Sequence, residues 1–358
     1  MRKIVTGGAL AALLALSQTG CMTQLAANST VRIMGRAAPA LQSQADPGIA
    51  EAALPYSIAQ MEGLLLVVPH NGALRVQAMR AYGSYGFGFL EDRMEQAEVD
   101  DDEVRIEHYR ERATAAYLRA KALGLEELTR QEDGDGGADG ALRRAQEHQE
   151  AWTEYLSRFD DEDQAAVLFW TGYAWGRYIN LHKDDVTAIA DLPYVVALFQ
   201  RAMALDPTYN FHAGYAALGA YHAGRPAALG GQPEEALRNF DRAIELTQGN
   251  FLMYKVFKAR LYAVMVQDRA LFQRLLTEVI EAGDVMPDQR LANQLARRRA
   301  RRYLDQIDSL FLPQEPSGAT QGGEEPTGDH VMEPPVDAVP TEPTAAPTPA
   351  PATPAATP

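Results

Sequence analysis

Seven histidines and one cysteine are where metal, acid–base or nucleophilic chemistry would concentrate in this chain of 358 residues. Their spacing assembles no reactive site. There is no His-Glu-x-x-His helix for zinc hydrolysis, no Gly-x-Ser-x-Gly elbow and no Walker loop. His212 and His222 are ten residues apart on one expected helix, which does not align them on one face. His182 stands beside Lys183-Asp184-Asp185 and reads as a helix end, with Asp185 helping to start the next element. Glu62 precedes Gly63 and an apolar run, as a solvated or capping carboxylate would. The loop Gln131–Gly140 carries Glu132, Asp133 and Asp135, but it lacks the ligand order and closing Glu of a calcium loop. Arg297-Arg298-Arg299 and Arg301-Arg302 form a basic face on the last helix, ordinarily solvated and less often a site for an anion or an acidic partner. The chain therefore reads as non-catalytic, with no cofactor and no metal, and a hydrolase stands third among the alternatives.

A different chemistry is suggested by aromatic residues interleaved with glycine. Phe169-Trp170-Thr171-Gly172-Tyr173-Ala174-Trp175-Gly176-Arg177-Tyr178-Ile179 is apolar almost all round, as a buried helix is. Gly172 and Gly176 share one face. Either they let a neighbouring backbone approach, or they open a cavity that the aromatics line for an apolar ligand. Tyr82-Gly83-Ser84-Tyr85-Gly86-Phe87-Gly88-Phe89 carries the same ambiguity. Its glycines have the wrong order for a dinucleotide loop, and no strand precedes them.

The lone Cys21 excludes an intrachain disulfide and has a separate use. Arg2 and Lys3 precede the short apolar run Gly7–Leu16, which ends at Gly20-Cys21. This resembles a bacterial lipoprotein signal, in which the cysteine is lipidated after cleavage. Gln18 departs from the aliphatic residue usual three before that cysteine. An ordinary secretory signal with an incidental Cys is the alternative. Met22 rather than Asp comes next, so the usual sorting rule sends the chain to the outer membrane, facing the periplasm.

The chain divides by composition into a signal peptide (1–20), a tether (21–54) of little periodicity, a helical body (55–312) and a Pro/Thr/Ala-rich acidic tail (313–358) expected to be disordered. Charge divides the same way: +2 on the leader, −7 on the tail and −10 between them. An acidic body excludes a nucleic-acid binder, which needs phosphate-neutralising charge.

Along the body, helical spacing predominates and strand alternation is almost absent. About eleven helices are expected, over 56–68, 71–94, 104–124, 141–159, 163–181, 192–205, 209–223, 233–247, 250–265, 268–282 and 287–310. Asp191-Leu192-Pro193 is expected to cap one of them, with Gly124 and Gly249 as stops. A pattern recurs inside it. Val195, Phe199 and Ala202 have the spacing x, x+4, x+7, and Ala236, Phe240 and Ala243 repeat it 41 residues on. Ala113, Tyr117 and Ala120 repeat it upstream, and Phe272, Leu276 and Val279 form a degenerate copy. Small residues let paired helices approach while the aromatic fills the groove, as in the second helix of a tetratricopeptide repeat. The fold class is thus all-α, an α-solenoid of irregular tetratricopeptide-like hairpins.

Leu168–Gly176, Lys183-Asp184-Asp185, Ala190-Asp191-Leu192-Pro193, Leu218-Gly219, Arg225-Pro226, Leu229-Gly230-Gly231 and Gln267–Phe272 succeed one another in an order and spacing similar to those of a known family. Over roughly residues 55–310 the chain resembles the T-component, the tetratricopeptide-repeat lipoprotein of tripartite ATP-independent periplasmic (TRAP) transporters. The resemblance implies a homotrimer that associates with the periplasmic substrate-binding subunit, and a hydrophobic channel able to hand on an apolar small molecule. Under it, Trp170, Tyr173, Trp175 and Tyr178, with Tyr82 and Tyr85, would line a ligand or partner cleft. Gly172 and Gly176 would give it room, and the loop with Arg225, Pro226, Gly230 and Gly231 would shape one rim. A helical-repeat lipoprotein of envelope assembly, without a small ligand, is the alternative.

Overall fold

Short acidic and amide side chains start five helices by accepting from the next free N–H groups: Asp46 from Gly48, Asn71 from Leu74, Asp102 from Arg105, Asp185 from Thr187 and Asp268 from Leu271. Each such cap contributes about 1 kcal/mol. The computed structural model describes residues 5–224 and 231–313. In order the helices are α1 (Val5–Gln42), α2 (Pro47–Val67), α3 (Gly72–Tyr85), α4 (Glu91–Val99), α5 (Glu103–Gln131), α6 (Gly137–Ala145), α7 (Ala151–Ser157) and α8 (Ala165–Leu181). They continue with α9 (Val186–Ala190), α10 (Leu192–Leu205), α11 (Tyr209–Ala223), α12 (Pro233–Leu246), α13 (Met253–Phe257), α14 (Arg269–Glu281) and α15 (Arg290–Asp305), then one turn at Ile307–Leu310. A π turn, Gly86–Leu90, joins α3 and α4 into one rod, and another, Lys258–Ala263, extends α13. With that rod counted once and the final single turn left out, there are fourteen helices among the described residues, against about eleven expected. No strand occurs among the described residues.

Helix α8 lies at the centre, packed between α5, α3 and α10. All twelve positions of the recurring pattern are buried, on α5, α10, α12 and α14. In three copies the aromatic rests on a glycine of an earlier helical element. A Cβ on Gly86 would lie 2.7 Å from the Tyr117 ring, one on Gly172 3.3 Å from Phe199, and one on Gly219 2.9 Å from Phe240. The missing side chain is what admits the ring, so each pair forms a joint between helices.

Several expectations change. Residues 22–54, read as a tether of little periodicity, form the second half of α1 and the start of α2. Their inner face is made mainly of small or single apolar residues, with Ala27, Val31, Ala50 and Leu54 buried, too sparse to register as a stripe. The expected helix 141–159 breaks at the polar segment 146–150 into α6 and α7. Gly124 does not stop α5, which runs to Gln131; it sits where Thr171 of α8 comes closest. Gly249 does succeed α12, at a φ of 70°. The stretch Val186–Leu205 is long and apolar enough to cross a membrane, but it divides at Asp191 into α9 and α10, and α10 turns Val195, Leu198, Phe199 and Ala202 into the core.

Candidate functional site

The aromatic–glycine residues fall on different sides of α8. Gly172 and Gly176 face α10, where Leu198, Phe199 and Val195 occupy the space a side chain would need. Trp170 is buried and donates its indole N–H to the Tyr209 hydroxyl at 2.9 Å. Trp175 is buried elsewhere, donating to Asp191 Oδ2 at 3.0 Å, with Lys121 Nζ 3.6 Å from its ring centre. Asp191 stands at the start of α10 as expected, yet its carboxylate serves Trp175 and makes no capping bond.

Tyr82, Tyr85, Tyr173 and Tyr178 do come together. All four pack around the cluster of Leu90, Met94, Ala113, Ala116, Tyr117 and Leu181. Gly83 lets α3 approach, its missing Cβ position lying 3.2 Å from both Trp170 and Tyr173. The Tyr82 hydroxyl donates to Glu62 Oε1 at 2.9 Å, and Arg119 donates to both oxygens of that carboxylate at 2.8 Å. Burial, then the bond to Glu62, pushes the Tyr82 hydroxyl up to about 12. The Arg119 bond holds Glu62 below the usual carboxylate range against the opposing effect of burial. Glu62 is therefore ion-paired across two helices rather than a cap. Tyr173 retains accessible area, yet burial pushes its hydroxyl well above the usual phenol range.

Beneath this group lies a buried charge network that sequence reasoning missed. The Glu91 carboxylate, at the start of α4, accepts from Tyr117 Oη and from Arg177 Nε and Nη2. Asp92 accepts from Arg298 Nη1 at 2.7 Å and Arg302 Nη2 at 2.6 Å, and Glu95 accepts from Arg299 and Arg302. The π turn before α4 supplies a further acceptor: the Phe87 carbonyl takes Arg299 Nη2 at 2.7 Å, and the guanidinium lies 4.0 Å from the Phe87 ring centre. Arg297, Arg299 and Arg302 are buried, so much of the basic face of the last helix is internal rather than solvated. A sequence signal existed in the matched spacing of Glu91-Asp92-x-x-Glu95 and Arg298-Arg299-x-x-Arg302, two helical faces of opposite charge.

A well-formed concavity among the described residues is elsewhere. A pocket of about 530 Å³ is lined by residues that include Tyr209, Phe211, His212, Gln248, Asn250 and Met286. Its rim contains three successive non-glycine residues in left-handed conformation, Asn210, Phe211 and His212, with φ of 49°, 60° and 63°. That conformation costs roughly 1–2 kcal/mol per residue. Here it is held by the Phe211–Phe251 stack at 5.6 Å and by the Tyr254 hydroxyl donating to the Phe211 carbonyl at 2.8 Å. Ordinary residue types at these positions carry no sequence signal for it. Gly231, just before α12, is half-buried; Arg225, Pro226 and Gly230 of the expected rim lie outside the described residues, as does the side chain of Cys21.

The family model of the TRAP transporter T-component matches residues 43–311, from the end of α1 through the last helical turn. The chain belongs to the TRAP transporter T-component family. A relative from Treponema pallidum (strain Nichols), known only as an uncharacterized protein, is 23% identical over 261 residues, covering 72% of this chain and 78% of its own length. The matched span contains every glycine–aromatic joint and the whole charge network, so the elements that shape this T-component body are those the family model covers.

Proposed function

We propose that the protein is a non-catalytic accessory subunit of a TRAP transporter, a periplasm-facing lipoprotein whose irregular tetratricopeptide-like hairpins hold the substrate-binding subunit. The family match across 43–311 carries the reading. The three glycine–aromatic joints support the repeat character, since one packing solution recurs along the chain. The pocket at Asn210–His212 is the place for a segment of the partner: it is concave, and its strained rim is over-determined by packing, as binding sites commonly are. Cys21 carries the lipid, and the assembly is a homotrimer.

A second reading, binding of an apolar small molecule, is favoured by one observation: Tyr82, Tyr85, Tyr173 and Tyr178 gather, partly buried, around one apolar cluster. Both readings are tested by mixing the purified protein with the TRAP-type substrate-binding subunits of its own organism, with and without a long-chain fatty acid. Co-elution that Phe211→Ala removes supports the docking site. No co-elution under either condition sinks the transporter role. Fatty-acid binding that Tyr173→Ala leaves intact sinks the second reading.

A further inference from the structure

Over residues 22–42, helix α1 docks by one side. Ala27 and Val31 are buried, Asn71 Nδ2 donates to Asn28 Oδ1 at 2.7 Å, and Arg290 Nη1 donates to the Ser43 carbonyl at 3.1 Å. These contacts fix the rotation of the helix and so decide what it turns outward. The outward stripe is Met22, Leu25, Ser29, Arg32, Ile33 and Arg36, whose spacing is one face of a helix with 3.6 residues per turn. Met22, Leu25 and Ile33 are 68%, 60% and 68% exposed, although they are large and apolar. Arg32 and Arg36 are exposed between them, and neither forms an ion pair among the described residues. From Met22 to Ala45 there is no Asp or Glu, in a chain whose net charge is −15.

We propose that this face of α1 lies flat on an anionic bilayer. Apolar side chains with guanidiniums on the same exposed face suit the boundary between acyl chains and headgroups: the apolar groups sink, while Arg32 and Arg36 take lipid phosphates. The stripe is about 21 Å long, so it lies in the plane of the surface and does not span it. Local charge selects the lipid, because the acidic remainder of the chain is repelled by the surface that attracts this segment. The proposal deepens the anchoring reading, since Cys21 immediately precedes the stripe. It rests on the chain being held at a membrane, and not on the chemistry of the anchor. In consequence α1 would set the orientation of the body above the bilayer, where a lipid alone would leave it free to swivel.

The test uses the full chain with Cys21→Ser and a fluorescent label on Ser29→Cys, at the middle of the stripe. A second label, on Val104→Cys at the exposed start of α5, is the control. The apolar leader brings every variant to the vesicles, so the readout is local: quenching of each label by acrylamide. In mixed phosphatidylethanolamine–phosphatidylglycerol vesicles the label at 29 becomes protected and the label at 104 does not. Arg32→Glu and Arg36→Glu each change the local charge by two and lower the ratio of protected to unprotected label by about thirtyfold. The proposal is overturned if the label at 29 stays as quenchable as the control. It is equally overturned if protection is unchanged in phosphatidylcholine vesicles and by charge reversal, or if it arises without vesicles as protein concentration rises, which would mark a second copy as the occupant. The mass of the wild-type chain recovered from membranes reports lipidation separately, so failure of that reading leaves this result interpretable.

Discussion

Gly86→Ala sets two effects of known sign against each other at one atom. Gly86 has helical backbone angles, φ −56° and ψ −59°, so alanine gains about 1 kcal/mol from helix propensity alone. The added Cβ would lie 2.7 Å from Tyr117 Cε1 and Cζ, well inside contact distance. Tyr117 is fully buried and its hydroxyl is bound to Glu91, so the ring cannot withdraw without breaking a hydrogen bond to a carboxylate. Overpacking costs about 1–3 kcal/mol and the charged hydrogen bond about 1.5–3 kcal/mol. The expected net effect is a loss of about 2–4 kcal/mol, measured as a shift in urea midpoint at unchanged slope. Gly63→Ala in α2 supplies the control: its Cβ meets nothing within 4 Å, so only the propensity gain remains and stability should rise by about 0.5–1 kcal/mol. If Gly86→Ala were as stabilising as Gly63→Ala, the glycine–aromatic joint would not be holding these helices together.

The other expectations concern polar groups in the core. Glu91→Leu leaves the half-buried Arg177 and the buried Tyr117 hydroxyl without their partner and should cost about 3–5 kcal/mol in a denaturant titration, with Glu91→Gln costing less. Burial raises the Asp92 carboxyl, but Arg299 and Arg302, with hydrogen bonds from Arg302 and Arg298, outweigh it and hold the group below its usual range. A depressed native value means that this stability is complete above about pH 4 and is lost as pH falls through the native value. Asp92→Asn should therefore flatten the acid limb of a stability–pH profile, and an unaltered limb would contradict the pairing. Trp175→Phe removes the indole bond to Asp191 and weakens the Lys121 contact; about 1–2 kcal/mol of stability should go, read by thermal unfolding, with the fold retained.

Local features were legible in the sequence to the extent that they are local. Apolar spacing located the core of α5, α10, α12 and α14, because inward positions at x, x+4 and x+7 are a property of a single helix. The aromatic–glycine run of α8 was recognisable as a buried helix, but its sequence could not say that Trp170 and Trp175 point to opposite neighbours while Tyr173 and Tyr178 join Tyr82 and Tyr85. That depends on which helices come to pack on α8. The charge network was hidden for the same reason: Asp92 and Arg302 are 210 residues apart, and each reads locally as solvated. The π turn at Gly86–Leu90 leaves no mark in the sequence because it changes register without changing helical character. Helix α1 was hidden by its composition, since small residues on its inner side and exposed apolar ones on its outer side invert the usual amphipathic signal.

The most direct test of the proposed role is saturable binding of the wild-type chain, in detergent, to a TRAP-type substrate-binding subunit of its own organism, monitored by sedimentation or interferometry. The account predicts a defined complex that Phe211→Ala weakens while the helical circular dichroism stays that of the wild type. A wild-type chain that is folded, as judged by its helical circular dichroism, and still fails to bind that subunit at any accessible concentration would contradict it.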